Sequence, residues 1–390
     1  MLSCIRLQLL IRQHTTNLRI PAACAVEYKK ESFVMKRNKI LVVLCVLLVA
    51  SSFLFAQATG EAAGTKLWPK TQPVVYVGFG AGGGTDTAVR PVIAKMEEYL
   101  GETINVVNQA GAASAVAANT VMYSKPHDGY SMFATGSAPI SGFRVMGTSE
   151  TFWGDWGSFH PYMGAAVLIV RSDSPIKTYD EAMAYLKTKK VNFAISGFGV
   201  GPHVLFEAVR DIAGVAAPNY MTAGSCRQAA INIIAGDAEI SMATFSSVID
   251  FIKAGQIRAL AITDTKDYTE FGMNIPSITK VQKNAENIPL LSETWPIMIP
   301  RDAPKHIIDK LTEAFYWAVK QPAIVDYAKN QGLVIAGYAG EDADKFLAIQ
   351  EAGYAWTLHN VGSTVESPEK FGIPKLADFN WDVAKQKIKK

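Results

Sequence analysis

Short apolar runs alternate with stretches of helical apolar spacing, and this pattern predicts alternating strands and helices. Apolar runs bounded by glycine or polar residues are typical of buried strands, and apolar residues three and four positions apart are typical of helices. A strand at 74–77 and a helix at 85–100 form the first such unit. Strands at 104–107 and 130–135 enclose a helix at 111–122. This order predicts a parallel α/β sheet with right-handed crossovers.

The same alternation resumes after a strand predicted at 164–170. Between the two sets, residues 139–160 are predicted to form an irregular insertion, whose aromatic residues either pack in the core or cover a pocket. Helices late in the chain are expected to return to the first set, and 362–390 shows no clear pattern. The remaining predicted elements are strands at 191–195, 216–220, 239–243, 257–262 and 295–300, a helix between 243 and 257, and helices at 179–186, 204–212, 226–235, 304–319, 322–331 and 343–358.

A glycine-rich loop joins the first strand to the first helix, with five glycines in the seven positions 78–84. Thr85 and Asp86 follow as predicted N-cap residues. A strand, a glycine loop and a helix N-terminus together favour anion binding, because free N–H groups and the positive end of the helix dipole point the same way. A turn without a ligand is the alternative.

The spacing Gly78-x-Gly80-x-x-Gly83 also matches a dinucleotide-binding fingerprint. That fingerprint needs an acidic residue at the end of the next strand, where this chain has Asn108-Gln109. A phosphate-binding P-loop would need a lysine in the loop, and none is present. Both nucleotide interpretations are therefore disfavoured.

Three loops of the first set, at 80–85, 108–114 and 136–141, follow predicted parallel strands and are expected to share one sheet edge. Ligands of such sheets bind beyond the carboxyl ends of the strands. The second set has its own glycine-rich loop at 196–203, also leading into a helix. Two α/β units that offer helix N-termini to a shared cleft are typical of hinged solute-binding proteins.

The N-terminus carries the pattern of an export signal. A basic segment begins at Met35, an apolar core spans 40–50, and Ala56-Gln57-Ala58 fits a small-x-small cleavage site. We predict a signal peptide at 35–58, with an uncleaved anchor as the alternative, and interpret 1–34 as an upstream extension. Residues 1–58 hold eight of the 38 basic and two of the 35 acidic residues, so the remainder has a net charge of −3 and no basic patch for nucleic acid.

The cysteines and histidines give little support to catalysis. Cys4, Cys24 and Cys45 lie in the segment predicted to be removed, which leaves Cys226 without an internal disulfide partner. There is no Gly-x-Ser-x-Gly elbow and no His-x-x-x-His pair. A secreted α/β enzyme acting on a small anionic or nucleotide substrate remains the alternative to a receptor.

Five motifs occur in a set order between about residues 70 and 360. They are Gly78 to Asp86, Val106 to Ser114, Pro126 to Tyr130, Gly197 to His203 and Trp295 to Pro304. In order and spacing they resemble the substrate-binding proteins of tripartite tricarboxylate transporters, the Bug-type periplasmic receptors. Departures include Val200 for a serine, Asn219 for a proline, a longer segment at 220–226, and Gly111-Ala112-Ala113-Ser114 for Gly-Ala-Gly-Gly.

The resemblance implies an α/β, two-lobed type-2 periplasmic binding protein fold with a ligand cleft between the lobes. Lobe 1 would comprise 69–168 plus 290–390, and lobe 2 would comprise 169–289. The protein would be a periplasmic, monomeric receptor, not an enzyme, and would need no cofactor and no nucleic acid. It would capture a small organic carboxylate (a tri- or dicarboxylate or a related acid) and deliver it to membrane transporter subunits.

The resemblance also implies a set of ligand contacts, several of which have a structural alternative. Asp86 is interpreted as a helix cap, a ligand contact or both, and His203 as structural or ligand-binding. Asn108 is expected to order its own loop, and Trp295 to lie in the core. The implied ligand-binding residues are Phe79, Ala81, Gly82, Gly83, Thr85, Asp86, Thr135, Gly136, Ser137, Gly197, Gly199, His203 and Ser225.

Overall fold

A computed structural model of the chain describes residues 68–288 and 292–388. The predicted upstream extension, the signal peptide and Cys4, Cys24 and Cys45 lie outside these described residues. Within them, no helix is long and apolar enough to cross a membrane.

The strands form two separate sheets, as the two predicted α/β sets require. In chain order they are β1 (Val74–Val77), β2 (Asn105–Asn108), β3 (Ser131–Ala134), β4 (Trp156–Gly164), β5 (Ala166–Arg171), β6 (Asn192–Ile195), β7 (Asn219–Thr222), β8 (Ile240–Thr244), β9 (Ile257–Ile262), β10 (Glu293–Thr294), β11 (Ile297–Pro300) and β12 (Val334–Ala339).

The first sheet has the order β10–β4–β11–β3–β1–β2, and β12 also pairs with β4. β1 runs parallel to both β2 and β3, with Val77 opposite Asn108 and Ala134. The loops after these three strands therefore leave from one edge, as predicted. β11 is antiparallel to β3 and β4, so the sheet is mixed rather than wholly parallel.

The second sheet has the order β7–β6–β8–β5–β9, with β6 parallel to β7 and β8. The strand predicted at 164–170 corresponds to β5 (Ala166–Arg171) of the second sheet, but β4, which ends at Gly164 in the first sheet, was not predicted as a strand. Both strands are buried along nearly their whole length, and Met163 to Val170 contains no polar residue that would separate them. The hydrophobic pattern therefore has no feature that marks the crossing at Ala165.

The helices match the predicted positions closely, except that α3, α8 and α12 were not predicted and the starts of α1, α2 and α5 differ. They are α1 (Gly84–Leu100), α2 (Ala115–Ser124), α3 (Ser137–Gly142), α4 (Tyr179–Thr188), α5 (Gly201–Ala213), α6 (Cys226–Ala235), α7 (Phe245–Lys253), α8 (Ile278–Val281), α9 (Lys305–Ala318), α10 (Pro322–Asn330), α11 (Glu341–Asn360) and α12 (Trp381–Ala384).

The N-cap of α1 is Gly83, not Thr85 or Asp86, which lie in the first turn. Val89, Val92 and Met96 on its buried face pack with Leu311 and Phe315 of α9 in the first core. The prediction that the late helices return to the first lobe is thus confirmed for α9. α11 departs from this prediction, because it packs not only against α3 and β4 but also against α5, which flanks the second sheet.

The segment 139–160 is not an irregular insertion, since it contains part of α3 and the first half of β4. Its aromatic residues Trp153, Trp156 and Phe159 are at most 2% exposed, which confirms the core interpretation. Pro161 discourages a strand prediction because proline cannot donate to a ladder. In the structure β12 has a bulge opposite Pro161, between Ile335 and Tyr338, and this bulge accommodates the proline within the sheet.

The loop after β2 contains a left-handed turn of non-glycine residues. Ala112, Ala113 and Ser114 have φ values of 45°, 48° and 75°. The family pattern has glycine at the last two of these positions. A left-handed L-residue costs about 1–2 kcal/mol, so this turn is strained, and α2 begins only at Ala115.

We expect Ala113→Gly to stabilise the protein by about 0.5–1 kcal/mol, because relief of backbone strain outweighs the added entropy of the unfolded chain. Urea unfolding measures the change. Ala115→Gly is the matched control: Ala115 has a helical φ of −61°, so glycine there will destabilise by about 1 kcal/mol. A loss of stability in Ala113→Gly would contradict the strained turn.

Candidate ligand-binding site

A pocket lies where the loop after β1 of the first sheet meets the loops after β6, β7 and β8 of the second sheet. It lies at the carboxyl ends of parallel strands, where ligands of α/β sheets bind. The residues that line it are Phe79, Gly83, Gly84, Thr85, Ser196, Val200, Pro202, Gly224, Ser225, Cys226, Thr244, Glu293 and Trp295.

The start of α1 forms one wall of this pocket. Gly83 is extended (φ −73°, ψ 169°), and no side chain caps the helix. The first intrahelical bond joins the Thr87 N–H to the Gly83 carbonyl at 2.9 Å. The amides of Gly84 and Thr85 therefore have no acceptor four residues back, and they lie at the positive end of a 17-residue helix. This arrangement suits a carboxylate.

Asp86 shapes the glycine loop from behind the pocket. Its carboxylate accepts the Gly82 N–H at 2.9 Å, Arg90 Nε at 2.8 Å and Asn108 Nδ2 at 2.9 Å. Asn108 Nδ2 also donates to the Phe79 carbonyl at 2.9 Å. Burial opposes ionisation, but the hydrogen bonds from Arg90, Gly82 and Asn108 outweigh it and lower the pKa of Asp86. Asp86 thus stays ionised and holds the loop in place.

The second sheet contributes two more helix starts. The N-cap of α5 is Val200, which has no side-chain cap. Ser225 is the N-cap of α6, and its Oγ accepts the Gln228 N–H at 3.1 Å. Because Ser225 and Cys226 line the pocket, the start of α6 lies across from the start of α1.

His203 supports the α5 loop from inside the lobe. It is 2% exposed, and its Nδ1 accepts the Gly199 N–H at 3.2 Å. Burial lowers the pKa of His203 to about 4, although Glu207 opposes this, so the imidazole is neutral near pH 7. Its Nε2 lies 3.8 Å from Glu207 Oε1. These contacts make His203 a positioning residue for the glycine loop.

The loop after β3 is held by buried hydroxyl groups. Thr135 Oγ1 is 2.6 Å from Ser114 Oγ, which ties this loop to the strained turn. Ser137 Oγ accepts the Thr294 N–H at 3.1 Å and donates to Gln350 Oε1 at 3.3 Å. These side chains position β10, the strand that carries Glu293.

Comparison with known proteins identifies the family. The sequence model described as "Tripartite tricarboxylate transporter family receptor" matches residues 88–356. The chain belongs to this receptor family. It is 25% identical over 309 residues to a UPF0065 protein of Bordetella pertussis, covering 77% of this chain and 92% of that protein.

Solved structures show the same fold. Periplasmic binding protein BugD has a TM-score of 0.68 at 19% identity, over 76% of this chain and 99% of BugD. MatC from Rhodopseudomonas palustris with bound malate has a TM-score of 0.66 at 20% identity, over 75% of this chain and 99% of MatC. Both the Bug-type resemblance and the two-lobed periplasmic binding fold are thereby confirmed.

In this member of the receptor family, the structure brings four of the predicted contacts to the pocket: Phe79, Gly83, Thr85 and Ser225. The others lie around it. Some shape the loops by the contacts described above, and Ala81 and Gly82 are exposed at the tip of the first loop. The predicted residues that do not line the pocket are Ala81, Gly82, Asp86, Thr135, Gly136, Ser137, Gly197, Gly199 and His203.

Nine of the thirteen lining residues were not predicted as site residues, and two of these, Trp295 and Glu293, bear on the chemistry of the pocket. Trp295 was expected in the core, and it is 2% exposed within the first core while also lining the pocket. Glu293 was missed altogether. It is the only charged residue between Ile288 and Pro300, and a lone acid in an otherwise apolar and uncharged stretch is the signal that could have revealed it.

Proposed function

We propose that this chain is a solute-binding receptor whose two lobes close on a small organic carboxylate and present it to a membrane transporter of the tripartite tricarboxylate type. The uncapped start of α1 inside the pocket carries this proposal. Family membership supports the transport role, and malate in the related MatC supports a carboxylate ligand. The transporter reads lobe closure as the signal that ligand is bound.

The ligand carboxylate would accept the amides of Gly84 and Thr85. Phe79 and Trp295 would cover the carbon skeleton, and ordered water would complete the hydrogen bonds. Backbone donors recognise the charge and shape of a carboxylate but not the rest of the molecule.

The lobes in this proposal are 69–168 plus 290–390 and 169–289. The passage of the chain from the first sheet to the second at Ala165 supports a hinge there. Closure would bring the start of α1 against the start of α6, with the ligand between them.

We further infer a periplasmic, monomeric protein that is exported by a signal peptide and is not an enzyme. The periplasmic setting of BugD supports the location. Burial raises the pKa of the Cys226 thiol in the pocket, so the thiol stays protonated and is a poor nucleophile. No group of three side chains suited to a metal occurs among residues 68–288 and 292–388.

A thermal-shift screen of the protein from Thr59 onward tests the proposal with carboxylates, amino acids, sugars and nucleotides. A ligand at about 100 times its Kd adds about 2.7 kcal/mol of stability, a rise of several degrees in Tm. We expect hits among molecules that carry a carboxylate. Stabilisation by nucleotides, with every carboxylate silent, would overturn the receptor assignment and restore the dinucleotide interpretation of Gly78-x-Gly80-x-x-Gly83.

A further inference from the structure

Glu293 belongs to the first lobe, but its side chain contacts the second lobe. It lies on β10 of the first sheet, and its carboxylate lies against Gly201 at the start of α5, where a Cβ would be 2.6 Å from Glu293 Oε2. The residue is 7% exposed and lines the same pocket as Gly84 and Thr85. An acidic side chain from the first sheet therefore lies at the start of α5, whereas the acid in the first turn of α1, Asp86, turns back to Gly82 and Arg90 and does not line the pocket.

Two glycines make the space for this carboxylate. A Cβ at Gly136 would lie 2.1 Å from Glu293 Oε1, and a Cβ at Gly201 would lie 2.6 Å from Oε2. Neither distance is sterically possible, so any other residue at these positions would displace the carboxylate. The space that holds the Glu293 carboxylate is thus formed by backbone atoms of one loop from each lobe.

No basic side chain of the described part of the chain acts on the pKa of Glu293. Burial raises the pKa of Glu293 to about 8, although the Gly201 N–H opposes this. The titratable groups that face it are Cys226 on α6 and Tyr354 on α11. For both, burial is the largest cause of a raised pKa and Glu293 adds to it, so neither supplies positive charge.

These contacts give the pocket two chemically different ends. The start of α1 offers N–H donors and a positive dipole to an anion. The opposite side offers a buried acid, which a positive donor would stabilise in its ionised form and a second anion would repel.

We propose that Glu293 makes this receptor select a monocarboxylate that carries an ammonium group, as an amino acid does, over a dicarboxylate. The inference rests on the proposed function, since it places the ligand carboxylate on the Gly84 and Thr85 amides. The ammonium group donates to Glu293 and ionises it, so binding releases a proton. A dicarboxylate is held only while Glu293 remains protonated.

Isothermal titration calorimetry with matched pairs tests this proposal. The probes are 3-aminopropanoate against succinate, 4-aminobutanoate against glutarate, and the common L-amino acids. In the parent protein we expect an ammonium-bearing probe to bind at least tenfold more tightly than the dicarboxylate of equal length. Its enthalpy should vary with the ionisation enthalpy of the buffer, and its affinity should rise from pH 6 to pH 9 while that of the dicarboxylate falls.

Glu293→Gln keeps the size of the side chain and an acceptor for Gly201, and it should lower the preference for the ammonium probe at least tenfold. Gly201→Ala, which displaces the intact carboxylate, should do the same. Glu270→Gln is the charge-matched control, because Glu270 is exposed and outside the pocket. It should leave the preference unchanged.

Tighter binding of succinate or glutarate by the parent, or an unchanged ratio in Glu293→Gln, would overturn the inference. The proposed function would survive that result if Gly83→Val still abolished binding of the preferred acid. Failure of every carboxylate to bind the parent protein would overturn both.

Discussion

Replacing Gly83 with valine will abolish carboxylate binding while the protein stays folded. A Cβ at this position lies 4.0 Å from the Cβ of Ser225 on the other side of the pocket. The isopropyl group would therefore fill the gap between the starts of α1 and α6 and cover the Gly84 and Thr85 amides. The extended backbone of Gly83 suits any residue. The close contact of 3.0 Å with the Gly80 carbonyl will cost about 1–2 kcal/mol of stability.

Calorimetric titration with the acid found in the screen measures the loss of binding, and thermal unfolding measures the fold. Gly80→Val is the matched control in the same loop, because no atom of residues 68–288 and 292–388 lies within 4 Å of a Cβ at Gly80. It should bind as the parent does. If Gly83→Val binds normally, the start of α1 is not the carboxylate site.

Glu293→Gln will stabilise the ligand-free protein at neutral to alkaline pH and will flatten its stability profile. In the folded protein the pKa of Glu293 is raised from 4.5 to about 8 by burial. The folded state therefore binds the proton more tightly than the unfolded state does. The resulting stability is fully present below about pH 4.5 and is lost as pH rises to about 8, a change of a few kcal/mol.

Urea unfolding at pH 5, 6.5 and 8 measures this difference. The gain from Glu293→Gln should be smallest at pH 5 and largest at pH 8. The facing groups Cys226 and Tyr354 titrate above this window, because burial raises the pKa of both. The free energy of unfolding of Glu270→Gln should vary with pH in the same way as that of the parent. If the free energy of unfolding of Glu293→Gln varied with pH as that of the parent does, Glu293 would ionise normally in the folded protein.

The sequence was sufficient to predict that the loops after β1, β2 and β3 leave from one edge of the first sheet. β1, β2 and β3 were predictable because helices connect them, and strands joined by helical crossovers run parallel. Their loops therefore had to leave from one edge. The glycine loop before α1 was equally clear, since five clustered glycines have no ordinary role in a strand or helix.

The roles of individual loop residues were less predictable. Asp86 and His203 had the right chemistry for ligand contact, but their polar atoms bond to Gly82 and Gly199 of their own loops. Sequence spacing shows that such a residue lies near a loop. It does not show whether the side chain turns toward the pocket or back to the loop amides.

The sequence by itself determined two α/β sets, the glycine loops that precede α1 and α5, and the family. Local rules are enough for these features, because strands, helices and glycine turns depend on neighbouring residues. Only the tertiary structure decided the crossing at Ala165, the bulge that accommodates Pro161 and the place of Glu293 between Gly136 and Gly201. Each depends on packing between segments distant in sequence: burial and the approach of two lobes turn an ordinary glutamate into a buried acid within the pocket.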